Sequence, residues 1–346
     1  MKSGWTIGKK LAAAFSAMAL IALVMGGVGY YGAVKNHAVV EEVGVVRLPS
    51  VESLLVIKEA AKAIRGSIRT LSIEGLPAEI RKRQYDNIAA SRKDVEAAWK
   101  VYEPLPQTPE EADTWKRFVP AWEAWRAENN RLLELHRRVD RLGIQSPLEL
   151  AHQLERFTKD HYILVYRVQN LLDDQAAHFE GGDDPTACNA GKYLLGFRTE
   201  NQALAATIKA FEEPHRRFHE AVGKIKKLAA AAKREEGQAV FRGEMIPAMQ
   251  AVFKHFEEML AVGNEATAVK KEADDLALGE ATRKQREAIA LLDKLVEINR
   301  EVAYSESQEG LSQAGFLKAM MLVAAFVVLA VAVVLGWWMA ASITGA

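Results

Sequence analysis

Two apolar runs, one near each end of the chain, constrain it more than any other feature. Leu11–Val34 is 24 residues long and Ala319–Ala341 is 23, and neither holds a charge. A helix rises about 1.5 Å per residue, so each run can cross a hydrocarbon core of roughly 30 Å. The 284 residues between them, Lys35 to Lys318, are rich in charge. The expected order is a tail at 1–10, a transmembrane helix at 11–34, a large extramembrane region, a second transmembrane helix at 316–341, and the start of another segment at 342–346. Two crossings return both ends of the chain to one side.

Lys2, Lys9 and Lys10 precede the first run with no acidic residue beside them. Short positive flanks stay in the cytoplasm, which makes the tail cytoplasmic and residues 35–318 extracytoplasmic. A cleaved signal peptide is the competing reading. The first run is too long for one, and Gly32-Ala33-Val34 is a poor small-residue cleavage site. Trp337-Trp338, near the end of the second run, suits a membrane–water interface.

Residues 35–318 carry 42 basic and 45 acidic side chains, a net of −3. A nucleic-acid surface would instead show clustered Lys and Arg and a basic balance, so that partner class is excluded. The length suffices for two modules, each with its own core. Cys188 is the only cysteine, so no intrachain disulfide can form. A lone thiol outside the cytoplasm needs a chemical reason to be there.

The extramembrane region reads as helices without strand alternation. Leu54, Ile57, Ala61, Ile64, Ile68 and Leu71 step by three and four, the seam of a helix packed in a bundle. Gly75-Leu76-Pro77 ends that helix, and a second covers about 78–103, up to Pro104 and Pro106. Thr108-Pro109-Glu110-Glu111 is a capping box, followed by Trp115, Phe118, Trp122, Trp125, Asn129, Leu132 and His136 on one stripe. Pro120 should kink that helix. The stripe reads as core before it reads as an aromatic binding cage. Arg65 and Arg69, one turn apart, are a candidate carboxylate clamp, although solvated helix faces carry such pairs routinely.

Gly143 and a second capping box, Ser146-Pro147-Leu148-Glu149, mark a boundary between modules at 35–145 and 146–315. Beyond it the pattern predicts a helix to about Glu180, a turn at Gly181-Gly182-Asp183-Asp184-Pro185, and helices over 186–212, 214–236, 238–263 and 266–312. The expected fold class is all-α: two transmembrane helices flanking an elongated extracytoplasmic domain of two stacked helical bundles.

The chemistry concentrates in the second module, at His161, Cys188, His215 and His219. His215 and His219 stand one turn apart and share a helix face. With a helix starting at Pro185, Cys188 lies within its first turn, where the dipole favours a thiolate. Three imidazoles and a thiolate suit tetrahedral zinc. His178 and His152 are alternative ligands. His152 lies nine residues before His161, on the opposite helix face, so those two cannot share a site. There is no His-Glu-x-x-His, and four protein ligands leave no position for a catalytic water, so no enzyme is expected. Glu212, Glu213 and Glu220 read as a solvated charged face.

The ordered pattern His161-x-x-Leu164, Cys188-x-x-Gly191-x-Tyr193, His215-x-x-x-His219 resembles the chemoreceptor zinc-binding domain, a small four-helix bundle. The likeness spans about 155–222 and implies His161, Cys188, His215 and His219 as ligands of one zinc ion. Ala190 and Tyr193 depart from it, at positions where a larger apolar residue and Trp or an aliphatic residue are usual. That domain most often works in the cytoplasm, whereas the charge argument puts this one outside.

The frame around it resembles a bacterial methyl-accepting chemotaxis receptor: Trp5-Thr6-Ile7-Gly8-Lys9-Lys10-Leu11, then Leu48-Pro49-Ser50, then Ser342-Ile343-Thr344-Gly345. The resemblance implies a sensor in the bacterial inner membrane and a homodimer. Its signal would be zinc, a redox change at Cys188, or a small ligand. Such receptors continue into a linker domain and a cytoplasmic signalling coil, so the chain is expected to be a fragment or a shortened sensor. The sensor of a histidine kinase or nucleotide cyclase is the alternative, and a non-signalling membrane-tethered scaffold is another.

Overall fold

A computed structural model describes residues 5–144 and 146–344, which are helices and connections with no strand among them. Lys2 of the expected tail, Gln145 at the expected module boundary, and Gly345 and Ala346 lie outside the described residues. Among the described residues ten helices follow one another: α1 (Ile7–Glu41), α2 (Leu48–Leu71), α3 (Ala78–Tyr102), α4 (Pro109–Leu142), α5 (Pro147–Asp173), α6 (Asn189–Gly196), α7 (Gln202–Ala230), α8 (Arg234–Val240), α9 (Ile246–Leu278) and α10 (Glu280–Thr344). π-Helical turns join α1 to α2 (Glu42–Arg47) and α8 to α9 (Phe241–Met245). Two continuous helical stretches, one through α1 and one ending in α10, are long and apolar enough to cross a membrane.

The chain makes two compact units, and they interleave along the sequence where the residue pattern implies consecutive modules. One contains residues up to 61, 91–120 and 287 onward; the other contains 62–90 and 121–286. Residues 287–315 therefore belong with the first helices, not with the second expected module. The reason is visible in α10. Asp293 pairs with Lys58, Lys294 with Glu110 at 2.8 Å, and Leu292, Leu295 and Ile298 are buried.

In the first unit, Leu54, Ile57 and Ala61 are buried at three- and four-residue steps, as their spacing requires. Trp115 lies 4.6 Å from the ring of Trp99 and 4.6 Å from that of Tyr102, and Phe118 is fully buried, so this part of the tryptophan stripe is core. The capping box forms: Glu111 N–H donates to Thr108 Oγ1 (3.2 Å) and Thr108 N–H to Glu111 Oε2 (3.3 Å). The same carboxylate does more. Arg47 Nη1 donates to Oε2 (2.6 Å), and Tyr102 Oη (2.7 Å) and Asn299 Nδ2 (2.6 Å) donate to Oε1. Arg47 Nη1 also reaches Asn299 Oδ1 at 3.0 Å, and its Nε reaches Glu42 at 2.7 Å. Arg47 is 3% exposed, and Glu111 and Asn299 are 0%. The π turn brings Arg47 into this network: one extra residue per turn re-aims the side chains that follow it.

The second unit contains α5 to α9, the remaining parts of α2, α3 and α4, and the start of α10. Trp122, Trp125, Asn129 and Leu132 are buried, which completes the stripe as core. His136 on that stripe is also buried, and its Nε2 has no hydrogen-bond partner among the described residues. Arg65 and Arg69 are exposed beside a cleft of only about 20 Å³, too small to hold a ligand between them.

Several boundaries differ from the sequence reading, each through a side chain that takes a backbone partner. The helix expected to reach Glu180 ends at Asp173, where Asp174 turns extended and its Oδ1 accepts Ala176 N–H at 2.9 Å. The helix expected over 186–212 is two, α6 and α7. Between them Thr199 Oγ1 donates to Gly143 O (2.8 Å) and Asn201 Oδ1 caps Leu204 N–H (2.9 Å). α7 then runs through Pro214, because Phe211 before it and Phe218 and Val222 after it share one buried face. Gly279 separates α9 from α10 within the helix expected at 266–312. The second capping box does not form: Ser146 makes no side-chain cap bond, and Leu148 N–H donates to Glu74 Oε1 at 3.3 Å instead.

Two predictions follow from these buried groups. Glu111→Ala takes from the buried Arg47 one of its two carboxylate partners, leaving Glu42, and takes the acceptor from Tyr102 Oη, so unfolding of the detergent-solubilised chain should show a loss of about 3–5 kcal/mol. Burial pushes the His136 imidazole down to about 4, with the nearby Arg81 charge adding to the shift. A depressed folded-state value means that the unfolded chain binds the proton first, so stability falls as pH drops from the unfolded value near 6.5 towards 4. Substituting His136→Met should therefore remove about 2 kcal/mol of the stability lost between pH 7.5 and 5, read as the difference between the two proteins' denaturation midpoints.

Candidate metal centre

His161, Cys188, His215 and His219 converge. One donor atom from each lies within 4.8 Å of every other. His161 comes from α5, His215 and His219 from successive turns of α7, and Cys188 from the residue that opens α6. The three histidines are buried, at 3%, 4% and 1% exposure, and Cys188 is half-buried. Cys188 Sγ lies 3.2 Å from His215 Nε2, which lies 3.0 Å from His219 Nε2. His178 and His152 are elsewhere: His178 is exposed with Nδ1 3.5 Å from Ala176 O, and His152 is exposed on α5.

Backbone carbonyls fix the tautomers. His161 Nδ1 lies 2.7 Å from Phe157 O, and His219 Nδ1 lies 2.7 Å from Gly182 O. A carbonyl only accepts, so each Nδ1 carries the proton and each Nε2 keeps its lone pair. His161 Nε2 is buried with no partner among the described residues. His161 and His219 thus keep unprotonated Nε2 atoms inside an apolar shell made by Phe211, Phe218 and Phe256. Phe211 stacks on His215 at 4.5 Å, and Phe218 and Phe256 lie 5.3 and 5.5 Å from His161. A cation at its centre would satisfy that arrangement. Tetrahedral zinc with Zn–N near 2.1 Å sets donors about 3.4 Å apart, near the Cys188–His215 and His215–His219 separations of 3.2 and 3.0 Å.

Electrostatics agree with a metal-binding state. Burial lowers the imidazoles of His161 to about 4 and of His215 to about 2, and lowers His219 as well. All three are neutral near pH 7, the form that binds metal. Cys188 corrects the sequence reading in two ways. The helix begins at Asn189, so Cys188 is its cap, and Gly191 N–H donates to Sγ at 3.2 Å. Burial nevertheless pushes the thiol up, against the Gly191 and Ala190 amides, so the helix terminus alone does not make it a thiolate. A dication beside the sulfur would reverse that balance.

Glycines shape the loop. Gly182 sits at φ +85°, and a Cβ there would come within 2.7 Å of Leu164. This left-handed residue turns its carbonyl towards His219. At Gly191 a Cβ would fall 1.9 Å from Pro185 O, the carbonyl that accepts from Cys188 Sγ at 3.4 Å. Asn189 Nδ2 donates to Asp160 Oδ2 (2.7 Å), tying α6 to α5 beside His161. Sequence reasoning quoted Gly191 but missed the roles of Gly182 and Phe256, which no local pattern marks. Of the three nearby glutamates, Glu213 and Glu220 both pair with Arg216 on the exposed side of α7.

Residues 4–141 match the family model described as a four-helix bundle sensory module for signal transduction. The match supports a chemoreceptor-type sensor. It covers about two-fifths of the chain, from α1 to the end of α4, and the four converging side chains lie beyond it. Comparison with curated proteins and with solved structures finds no match.

Gly191→Ala should displace the Pro185 carbonyl and with it the sulfur. The expected result is a loss of about 10–100-fold in zinc affinity, measured by chelator competition.

Proposed function

We propose that this chain is the extracytoplasmic sensory region of a membrane-bound, chemoreceptor-type signalling protein, holding one zinc ion between His161, Cys188, His215 and His219. The observation that carries the zinc reading is the convergence of four donor atoms from three helical elements, with His161 Nε2 left buried and unpartnered. The sensory reading rests on the family match over residues 4–141 and on the two apolar helices. In this reading the basic residues Lys9 and Lys10 keep the first flank in the cytoplasm of a bacterial inner membrane, and residues 35–318 lie outside. A homodimer is the assembly expected of such a receptor.

The zinc would join α5, α6 and α7, supplying the positive charge that the neutral imidazoles and the sulfur lack. This chain's own residues set the rest. Phe157 O and Gly182 O hold two imidazoles in their metal-binding tautomer, Gly191 N–H supports the sulfur, and the phenylalanines exclude water. Four protein donors leave no position for a reacting water, so the role is structural or sensory, not hydrolytic. Removal or oxidation of Cys188 would take away one donor and loosen three elements together.

The test is metal analysis of the purified chain beside Cys188→Ser. Near-stoichiometric zinc in the first and clear loss in the second is the expected result; equal trace metal in both overturns the site. Zinc held by four ligands contributes on the order of 10 kcal/mol, so chelation should also lower the melting temperature sharply.

A further inference from the structure

We propose that Lys226 is a positioning residue for the candidate metal centre: it latches the turn at 181–183 onto α7 and so sets the carbonyl that orients His219. The inference rests on the zinc reading above and extends it to a side chain outside the four donors.

Charge complementarity comes first. Between Arg167 and Lys192 the sequence has no lysine or arginine, while Asp173, Asp174, Glu180, Asp183 and Asp184 are acidic. The segment that delivers Cys188 and the Gly182 carbonyl therefore draws its countercharge from elsewhere, and α7 supplies it. Lys226 Nζ donates to Gly181 O at 3.1 Å, lies 3.4 Å from Asp183 Oδ1, and stands 5.3 Å from the centre of the Phe179 ring. One ammonium thus grips residues on both sides of Gly182, and its cation–π partner packs against the core of the unit. The Lys226 side chain is only 25% exposed, which spares these contacts part of the screening that weakens open surface pairs.

Spacing on α7 joins this latch to the metal site. His219, Gly223 and Lys226 follow at steps of four and three, so they share one helix face. The turn lies along that face. His219 Nδ1 is 2.7 Å from Gly182 O, a Cβ at Gly223 would come within 3.3 Å of Asp183 Cβ, and Lys226 holds Gly181 O. Gly181 O belongs to the peptide plane before Gly182, and Gly182 O to the plane after it. A glycine lets those two planes swing against each other more freely than any other residue does. Lys226 fixes the first plane through Gly181 O and the far side of the second through Asp183. Without it, Gly182 O is held in place by the His219 bond it is meant to direct, and the imidazole is freer to change tautomer.

The experiment is chelator competition for zinc on the full chain in nanodiscs, comparing the unmodified protein with Lys226→Met, Lys226→Arg and Lys224→Met. Lys224 lies two residues away on α7 and pairs with Glu244 at 2.6 Å, so it controls for loss of a positive charge from the same helix. Lys226→Met keeps most of the apolar stem and should weaken zinc binding about 3- to 10-fold. Lys226→Arg should restore most of that loss, and Lys224→Met should leave affinity unchanged. A second readout needs no metal. In the metal-free chain, nitrogen NMR of the His219 imidazole should show the Nδ1-protonated form giving way to a mixture of tautomers in Lys226→Met and not in Lys224→Met. Zinc bound equally tightly by the unmodified chain and by Lys226→Met overturns this inference and leaves the zinc reading standing. Equal weakening in Lys226→Met and Lys224→Met, or an unchanged His219 tautomer, overturns it as well. No zinc in the unmodified chain overturns the zinc reading and this inference together.

Discussion

Glu111 accepts hydrogen bonds from Arg47, Tyr102 and Asn299 in a part of the first unit where all four side chains are almost wholly shielded from solvent. An ionised carboxylate in such a place is tolerated only if its oxygens are saturated and a counter-charge lies against it. Both conditions hold here, and each requires helices from distant parts of the sequence to be in one register. Arg47 sits where the helix from the first apolar run becomes α2, and Asn299 sits on the helix that becomes the second run. The registers of the two membrane-directed helices are thus fixed by one carboxylate, and the leucine and isoleucine seams around it can close only in that register. Specificity, more than net stability, is what a buried network of this kind provides.

The candidate metal centre uses the opposite electrostatic logic. Where Glu111 is buried with its counter-charge already in the chain, the cluster of His161, His215, His219 and Cys188 is buried without one. Desolvation holds the imidazoles neutral and the thiol protonated. Two imidazole nitrogens, of His215 and His219, then face each other across 3.0 Å. A divalent cation, as proposed above, would supply the missing charge by drawing the lone pairs inward and displacing the thiol proton. The apolar shell that disfavours imidazolium is the same shell that would strengthen the metal–ligand interaction, since no water competes for the donors.

Much of this was readable in the residues, and the limits have physical causes. The helical seams, the Thr108–Glu111 capping box and the tryptophan stripe follow from spacing, because burial in a helix repeats every three to four residues. The four donors were also legible, since the His215–His219 interval is a helical turn and the pattern resembles a known domain. The break between α6 and α7 was not, because it depends on Thr199 and Asn201 bonding to Gly143 O and Leu142 O, partners more than fifty residues away. The helix running through Pro214 was missed for the reverse reason: a local breaker is overridden by a buried face that continues on both sides. The interleaved units escaped because long helices belong to two cores in turn, and sequence order does not show where one core stops.

For a sensor, these contrasts separate what holds still from what can change. A ligand shifts an arrangement only by binding one alternative better than the other. The Glu111 network offers little to such a ligand, since both carboxylate oxygens are already bonded within the protein. The candidate metal site differs: Cys188 and the Gly182 carbonyl that orients His219 both come from the non-helical segment 174–188, whose conformation is set by glycines and Asx turns instead of a continuous hydrogen-bond ladder. Changing the charge on one sulfur there alters the reason for the segment to fold as it does, while α5 and α7 keep their own cores. The chemistry able to respond is therefore placed on the least regular backbone of the second unit, and the register of the membrane-directed helices is placed where nothing outside the protein can reach it.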